Sequence, residues 1–266
     1  MLICPICKSE LKIIDNSYLC DHRHTYDIAK EGYVHLLPVQ KKNSKNPGDN
    51  KEMINARREF LEQGYYDPLV EQIINAIEVK ENANILDAGC GEGYYSHKLY
   101  EHFENTKILG FDISKEAVKK ASKKYKDILF FIASVNDIPV EHKSIDNYIT
   151  TFAPIDQSEI KRILKEDGKA IIISAGPNHM REIAEKIYKN YKSHDYDPQT
   201  SLVPSFHLLE ENTCSFTLHL KEANQIESML KMTPYYWSTK QEVLKDILNE
   251  ELIVTCEFKI QKFALV

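Results

Sequence analysis

The sequence has no long hydrophobic run and no excess of positive charge. None of its apolar stretches approaches the ~18 residues of a membrane-spanning helix, and the N-terminus lacks the order of charged, apolar and small residues that marks a signal peptide. A formal net charge of −6 over 266 residues argues against binding nucleic acid through the whole surface. These absences predict a cytoplasmic protein without a membrane partner.

Internal repeats and low-complexity tracts are absent as well. With 266 residues, of which 42% are hydrophobic, the chain can form one full core and a small appended module. The charge is uneven, because residues 1–60 carry ten Lys or Arg and eight Asp or Glu. This part of the surface could contact phosphates, although ordinary variation of solvated charge explains the count equally well.

Three of the six cysteines lie within the first 20 residues, and the other three are scattered. In a reducing compartment this distribution favours a metal site over disulfides. Cys4 and Cys7 are separated by two residues, and Cys20 and His24 by three. Three thiolates and one imidazole suit a tetrahedral zinc site, and soft sulfur ligands favour zinc over harder metals. We therefore predict Cys4, Cys7, Cys20 and His24 as zinc ligands.

A site with four protein ligands has no open coordination position, so this zinc would be structural. It would stabilise a segment too small to have a core of its own. Two alternatives remain. His22 could replace His24, although the single residue between it and Cys20 would strain the chelate. The three thiols could instead pack, reduced, as small hydrophobic side chains.

Residues 41–50, KKNSKNPGDN, are polar and lack periodicity, which predicts a linker or an exposed loop. The next segment has apolar residues at Met53, Ala56, Phe60 and Leu61, a helical spacing. From Asn84 onward, apolar runs such as NILDAG, KILGFDI and KAIIISAG alternate with helical patterns. This alternation predicts an α/β fold, in which a mainly parallel sheet has helices on both faces. The late segments TCSFTLHL and LIVTCEFKIQKFALV would add edge strands.

The segment ILDAGCGEGYYS places an aspartate at the end of the first strand of this sheet and glycines in the turn that follows. Glycine lets the backbone approach a ligand where a Cβ atom would collide. The spacing D-x-G-x-G-x-G differs from the G-x-G-x-x-G of dinucleotide-binding turns. Asp112 ends the next strand, 19 residues after Gly93, where a carboxylate can accept both ribose hydroxyls of an adenosine.

This turn resembles the first motif of class I S-adenosylmethionine-dependent methyltransferases. The resemblance implies a Rossmann-like fold with a mainly parallel, seven-stranded sheet, and the segment ASVNDIP matches the position that contacts adenine. The cofactor contacts it implies are Asp87, Gly89, Gly91, Gly93, Asp112, Ala133 and Ser134. An NAD-dependent enzyme is the alternative, and Asp87 could instead be a helix N-cap.

The zinc motif, the block from AKEGYVHLLPVQ to ARREFLEQGYY, and the segments LDAGCGEGYYSHKL, APID and MTPYYW together resemble the RlmA-type 23S rRNA (guanine-N1)-methyltransferases. The similarity runs nearly end to end. It implies methyl transfer from S-adenosylmethionine to N1 of a guanine in a hairpin loop of domain II of 23S rRNA, by a homodimer whose cleft holds the hairpin. The chain departs from the family at KEDGK, where relatives have a Pro-Gly-Gly turn, and over residues 190–212.

Matching the motifs residue by residue, the resemblance puts cofactor contacts on Tyr66, Gly91, Glu92 and His179. Tyr66 precedes the main sheet in the chain and could cover the methionine end of the cofactor as a lid. Ordinary aromatic packing is the alternative for Tyr66, and a helix-capping role is the alternative for His179.

Guanine N1 lies on the Watson–Crick edge and carries a proton, so the enzyme needs an unpaired or flipped base. The fourth strand ends in TTFAPID, where we predict that Phe152 stacks on the guanine. Backbone carbonyls near Ala153 and Pro154 could accept hydrogen bonds from the base. We predict Asp156 as the general base, with Asp137 behind it. Alternatively, Asp156 caps a helix and the proton leaves to water.

The resemblance and the composition together predict three parts: residues 1–40 as a zinc-binding RNA-recognition module, residues 41–65 as a linker with a connecting helix, and residues 66–266 as the methyltransferase domain. Basic residues of the first two parts would contact RNA phosphates: Lys8, Lys12, Arg23, Lys30, Lys41, Lys42 and Lys45. The alternatives are a small-molecule methyltransferase whose zinc only stabilises the fold, and a non-catalytic RNA-binding protein.

Overall fold

Two sheets organise the chain in its computed structural model, which describes residues 1–41, 48–188, 191, 193–194 and 196–266. The small N-terminal sheet is antiparallel and has the order β1 (Lys12–Ile14), β2 (Ser17–Leu19), β3 (Thr25–Asp27). The next strand, β4 (Val34–His35), belongs to the main sheet.

The main sheet has eight strands within the described residues. After β4 these are β5 (Asn84–Ala88), β6 (Lys107–Asp112), β7 (Leu129–Ile132), β8 (Ile145–Thr151), β9 (Leu164–Ala175), β10 (Phe206–Leu220) and β11 (Leu252–Leu265). Their spatial order is β10-β11-β9-β8-β5-β6-β7-β4. The strands from β4 to β9 pair in parallel, and β11 pairs antiparallel with both β9 and β10.

This topology confirms the predicted α/β fold, but of the two late segments predicted as edge strands only β10 lies at an edge, because β11 pairs with a strand on each side. The seven predicted strands are present, and β4 adds an eighth from the N-terminal part of the chain. The strand order reverses at β5, which has β6 on one side and β8 on the other. Ligands of open α/β sheets bind at the carboxyl ends of the strands at such a point. The segment KEDGK, where the family resemblance implied a turn, continues β9 here.

Ten α-helices lie within the described residues, and a 3-10 helix covers Val39–Lys41. The helices are α1 (Lys51–Glu62), α2 (Asp67–Ala76), α3 (Tyr94–His102), α4 (Lys115–Lys124), α5 (Gln157–Ile163), α6 (Arg181–Ile187), α7 (Pro198–Leu202), α8 (Ala223–Lys231), α9 (Pro234–Ser238) and α10 (Gln241–Leu248). Helix α1 begins at the N-cap Asn50, whose side chain accepts hydrogen bonds from the amides of Glu52 and Met53. None of these helices is long and apolar enough to cross a membrane.

Side chains alternate between the two faces of the sheet, and each face has its own hydrophobic core. On β5, Ile85 packs in one core with α1 to α4, α8 and α10, whereas Leu86 packs in the other with α5 and α7. Residues 133–144, between β7 and β8, form no helix. The N-terminal module covers the second face there, because Leu2, Val34 and Leu36 are buried in that core.

Backbone contacts connect the module to the sheet as well. β4 pairs in parallel with β7, and Leu2 forms an antiparallel bridge with Val140. The amide of Ile3 donates to the carbonyl of Pro139 at 3.0 Å. The N-terminal module is therefore continuous with the main domain in both hydrogen bonding and core packing.

Candidate active site and zinc centre

The predicted zinc ligands come together in the N-terminal module. The ligand atoms of Cys4, Cys7, Cys20 and His24 all lie within 4.8 Å of one another. The sulfurs of Cys7 and Cys20 are 3.6 Å apart, and Nδ1 of His24 is 3.4 Å from the Cys4 sulfur and 3.3 Å from the Cys20 sulfur. A zinc tetrahedron with ~2.3 Å bonds to sulfur has edges of about 3.8 Å. The donor set and its spacing therefore fit structural zinc, and His22 is not part of the cluster.

Two similar turns present these ligands. The amide of Lys8 donates to the carbonyl of Cys4, and the amide of Arg23 donates to the carbonyl of Cys20, both at 2.9 Å. Lys8 and Arg23 each have φ 63°, the left-handed conformation that closes the turn. The Ser9 hydroxyl lies 3.0 Å from the Cys7 sulfur, and this hydrogen bond lowers the pKa of Cys7 to about 5. A ready thiolate at this position suits metal ligation.

The basic residues predicted to contact RNA have different surroundings. Lys8 forms an ion pair with Asp137, so it connects the module to the main domain. Lys12 is exposed and lies 3.6 Å from Asp21. Arg23 and Lys30 are exposed. The side chain of Lys41 and all of Lys42 and Lys45 lie outside the described residues.

A cavity of about 770 Å³ lies at the carboxyl ends of the central strands. Most of the predicted cofactor contacts line it: Tyr66, Gly89, Gly91, Glu92, Asp112, Ala133, Ser134 and His179. Phe152, Ala153 and Pro154, predicted to hold the guanine, line it too. Two further predicted contacts, Asp87 and Gly93, are not among the described residues that line the cavity. The sequence motifs thus converge on one cavity, with these two exceptions.

The glycine turn forms the floor of the cavity. Gly89 has φ 73° and Gly91 has φ 56°, both in the left-handed region. A Cβ atom on Gly89 would lie 2.3 Å from the Cβ of Ala153, so only glycine lets β5 approach the segment after β8 this closely. The amides of Gly89 and Cys90 both donate to the carbonyl of Phe111, at 2.8 and 2.9 Å. The backbone next to the cavity is thereby fixed, as a cradle for a ligand requires.

Asp112 sits beside this turn with its carboxylate held by backbone amides. Gly91 donates to one oxygen at 3.0 Å, and Ser114 donates to the other at 2.7 Å. Burial raises the pKa of Asp112, and the two amides oppose that rise. Each carboxylate oxygen can accept a second hydrogen bond. The site therefore fits the two ribose hydroxyls of S-adenosylmethionine.

Asp87 and Gly93 act behind the cavity. Asp87 is buried and accepts a 2.5 Å hydrogen bond from the Ser96 hydroxyl, which joins β5 to α3. Burial raises the pKa of Asp87 to about 7. The N-cap of α3 is Gly93, so the N-cap interpretation of Asp87 is wrong. A Cβ atom on Gly93 would lie 2.9 Å from the Cβ of Ala121 and would crowd α4. A glycine is therefore required at position 93 because α4 packs closely against it.

Tyr66 and Glu92 line the cavity but have strong protein partners. The buried ring of Tyr66 packs edge-on against Phe258, with ring centroids 5.2 Å apart. Glu92 is buried, and its carboxylate accepts a 3.0 Å hydrogen bond from Arg58. Burial raises the pKa of Glu92 although Arg58 lowers it. Both residues therefore shape the cavity whatever contact they make with a cofactor.

An aromatic wall stands at the other end of the cavity. Phe152 is 50% exposed and has φ 59°, a strained conformation for a bulky residue. Its ring lies 5.9 Å from that of His179, which in turn lies 6.2 Å from that of His194. The Tyr235 hydroxyl is 3.3 Å from Nε2 of His194. All four side chains line the cavity.

His179 has a buried polar atom without a partner among the described residues. The residue is 8% exposed, and no described group forms a hydrogen bond with its Nδ1. Burial lowers its pKa to about 3, so the imidazole is neutral at physiological pH. An unpaired buried nitrogen costs free energy unless a ligand supplies a partner. His179 is therefore suited to contact a bound molecule.

Asp156 is the N-cap of α5. It is not among the described residues that line the cavity. Its carboxylate accepts hydrogen bonds from the amides of Ser158 and Glu159 and from the Ser158 hydroxyl, at 3.0, 3.1 and 2.5 Å. Asn136, which does line the cavity, donates to it at 2.8 Å. Its pKa is lowered, because these hydrogen bonds outweigh the effect of burial. The geometry favours the N-cap interpretation over a general base.

Arg57 is one of the lining residues that motif analysis missed. Its guanidinium forms a 2.5 Å ion pair with Asp49 and donates to the carbonyl of Met232 at 3.3 Å. A Cβ atom on Gly91 would lie 3.5 Å from its Nη1, so the guanidinium faces the glycine turn. The sequence placed Arg57 beside the linker, and only the fold brings α1 over the cavity.

Comparisons with known proteins agree with this arrangement. Residues 2–45 match the family model of the RlmA N-terminal zinc ribbon, and residues 79–245 match a methyltransferase-domain model. The Bacillus subtilis protein YxjB, which is named as a 23S rRNA (guanine-N1)-methyltransferase, is 29% identical over 98% of this chain and 96% of its own length. The 23S rRNA (guanine(748)-N1)-methyltransferase of Streptomyces fradiae is 28% identical over 89% of this chain and 85% of its own length.

Solved structures share the fold. A chain from the complex of the Haloferax volcanii Trm112 methyltransferase activator with a methyltransferase has a TM-score of 0.53 and 17% identity, covering 82% of this chain and 99% of its own. Geranyl diphosphate methyltransferase bound to S-adenosylmethionine has a TM-score of 0.51 and 12% identity, covering 84% and 93%. The predictions of a methyltransferase fold, S-adenosylmethionine and structural zinc are confirmed. The chain therefore belongs to the methyltransferase-domain family and carries in front of that domain a zinc ribbon of the RlmA type.

Proposed function

We propose that the protein transfers a methyl group from S-adenosylmethionine to N1 of a guanine in the domain II hairpin of 23S rRNA. The observation that carries the proposal is a single cavity with a nucleoside-binding floor and an aromatic wall that opens to solvent at Phe152. A flipped or unpaired base can enter such an opening and stack there. The rRNA (guanine-N1)-methyltransferase names of the relatives supply the target class.

The chain's own residues would bind and orient both reactants. Asp112 would accept the ribose hydroxyls, Ala133 and Ser134 would flank the adenine, and the glycine turn would support the sugar. S-adenosylmethionine supplies an electrophilic methyl group on a sulfonium that is already a good leaving group. Phe152 would stack on the guanine so that N1 faces that methyl group, and positioning of this kind accounts for much of the rate.

The proton of N1 needs an acceptor, and Asp156 is poorly suited because its carboxylate already accepts several hydrogen bonds. We propose that Asp156 instead positions Asn136 at the cavity wall, and that the proton leaves to water. His179, whose Nδ1 has no partner among the described residues, would contact the methionine end of the cofactor as the family resemblance implies. Tyr66 would close the same end.

Exposed aromatic side chains favour RNA over a small molecule as the substrate. Tyr188, which lines the cavity, is 43% exposed, and its ring lies 6.1 Å from that of Tyr235. Trp237 is 42% exposed and packs against Tyr236 at 5.2 Å. Unpaired nucleotides stack on aromatic rings of this kind.

We further propose the division into a zinc-binding RNA-recognition module (residues 1–40), a connection (41–65) and a methyltransferase domain (66–266). In this proposal Arg23 and Lys30, exposed on the module, contact phosphates of the hairpin. The protein would act in the cytoplasm, where rRNA is made and modified in bacteria, and as a homodimer whose cleft holds the hairpin. Light scattering of the purified protein, with and without a hairpin RNA, tests the dimer.

The decisive experiment is methylation of unmodified 23S rRNA with methyl-labelled S-adenosylmethionine, followed by nuclease digestion and mass spectrometry. We expect one N1-methylguanine in the domain II hairpin. The matched control is Asp112→Ala, which removes the ribose contact and should abolish labelling. Label at another base, or label on small molecules in the absence of RNA, would refute the proposal.

A further inference from the structure

The cavity contains one guanidinium among several carboxylates. Arg57 is the single Lys or Arg among the described residues that line it, whereas Asp49, Glu92 and Asp112 also line it. Glu92 is paired with Arg58, and Asp112 is held by backbone amides. S-adenosylmethionine has a sulfonium, an ammonium and one anionic group, the methionine carboxylate. A carboxylate entering this acidic cavity needs a cationic partner.

The glycine turn offers few free donors for that carboxylate. The amides of Gly89 and Cys90 donate to the carbonyl of Phe111, and the amide of Gly91 donates to Asp112. Helix N-termini and glycine turns often bind anions through such amides, but here three of these donors are already used. Arg58 is already bonded to Glu92, whereas the guanidinium of Arg57 faces Gly91 in this turn.

The contacts of Arg57 with the described residues use only part of its donors. A guanidinium carries five N–H groups in a planar fork that matches a carboxylate. In the structure one bond from Nη1 reaches Asp49 and one from Nη2 reaches the carbonyl of Met232. The side chain is 29% exposed, toward the cavity that it lines. Its position is therefore fixed by protein contacts before a ligand arrives.

We propose that Arg57 binds the methionine carboxylate of S-adenosylmethionine and thereby connects the cofactor to the substrate wall. This inference rests on the proposed function, because it takes S-adenosylmethionine as the cofactor. Asp49 on one side is anchored by the Ser114 hydroxyl, which donates to its carbonyl at 3.2 Å. Met232 on the other side precedes Thr233, Pro234 and Tyr235, which line the cavity. One side chain thus joins the segment before α1, the cofactor and the loop before α9.

The test compares S-adenosylmethionine with decarboxylated S-adenosylmethionine, which differs only in lacking the carboxylate, by titration calorimetry without RNA. We expect the wild type to bind S-adenosylmethionine about tenfold to 100-fold more tightly, as loss of charge-assisted hydrogen bonds implies. Arg57→Gln should lose that preference, so that the affinity ratio falls toward one. Arg57→Lys, which keeps the charge without the fork, should retain part of it. Lys51→Gln, an exposed position on α1, is the matched control and should keep the full ratio.

A merely structural role would weaken both ligands equally in Arg57→Gln and leave the ratio intact, which would overturn the inference. A wild type without preference between the two ligands would overturn it too. Absence of binding by either ligand would overturn this inference together with the cofactor assignment. Binding with the expected ratio, but no methylation of 23S rRNA, would refute only the proposed substrate.

Discussion

Replacement of Phe152 by alanine is the sharpest test of the aromatic wall. The ring is half exposed, stands at the cavity mouth and adopts φ 59°. Stacking of a base on an aromatic ring contributes about 1–3 kcal/mol. At ~1.4 kcal/mol per tenfold change, Phe152→Ala should lower kcat/KM for rRNA by roughly fivefold to 150-fold. Phe152→Tyr and Phe152→Trp keep a ring and should restore most of the activity.

The same change should have little effect on the fold and the cofactor. Full burial of a phenylalanine contributes about 1.5–3 kcal/mol, so truncation of this half-exposed ring should lower the free energy of unfolding by roughly 1 kcal/mol. The ring packs against Phe258 at 5.7 Å, which accounts for that loss. The affinity for S-adenosylmethionine should stay unchanged, since Asp112 and the glycine turn form the other end of the cavity.

The assay is steady-state methylation of an unmodified hairpin RNA, run beside calorimetry with S-adenosylmethionine and urea unfolding. Tyr100→Ala is the matched control, because Tyr100 is a 40% exposed aromatic residue on α3 outside the described cavity lining. It should leave kcat/KM at the wild-type level. Equal effects of the two substitutions on methylation would refute the stacking role, as would a loss of cofactor affinity in Phe152→Ala that matches its loss of activity.

Three further predictions concern the stability of the fold and the acceptor of the guanine N1 proton. Cys7→Ser, or chelation of zinc, should lower the melting temperature of the whole chain in one calorimetric transition, and a separate transition for the module would contradict the shared core. Asp156→Ala should cost about 1 kcal/mol of unfolding free energy through loss of the helix cap and reduce turnover less than about tenfold, whereas a general base would account for 10²–10⁴-fold. The folded-state pKa of Asp87, about 7, is raised from 3.8, so its contribution to stability is complete below pH 3.8 and is lost as the pH rises to 7. Asp87→Asn should flatten this decline, of up to about 4 kcal/mol, in urea unfolding between pH 4 and 8.

Short-range patterns in the sequence identified the zinc ligands and the cofactor turn. Cys4, Cys7, Cys20 and His24 are each fixed by local turns, so their spacing is sufficient to predict the cluster. The glycine turn and Asp112 follow from the alternation of strands and helices, since the carboxyl ends of parallel strands meet at one edge. The α/β fold could be predicted on the same grounds.

Long-range packing decided what the sequence left open. β4 has only two residues, and its pairing with Phe131 and Ile132, far along the chain, does not follow from its own sequence. Gly93 belongs to the motif by spacing, but contact with α4 rather than a ligand requires it. In the sequence, Arg57 is an ordinary charged residue of an amphipathic helix. Only the fold places that helix over the glycine turn.

The position of the zinc module indicates that it supports the methyltransferase domain as well as any bound RNA. It covers the sheet face beside β7, where residues 133–144 form no helix, and β4 hydrogen-bonds to β7 itself. Ala133 and Ser134, the proposed adenine contacts, directly follow β7. Lys8, next to a zinc ligand, is paired with Asp137 in the same loop. Because zinc-dependent structure supports the loop that carries these proposed contacts, loss of zinc should weaken cofactor binding as well as RNA binding. If the module only bound RNA, loss of zinc would leave the affinity for S-adenosylmethionine unchanged.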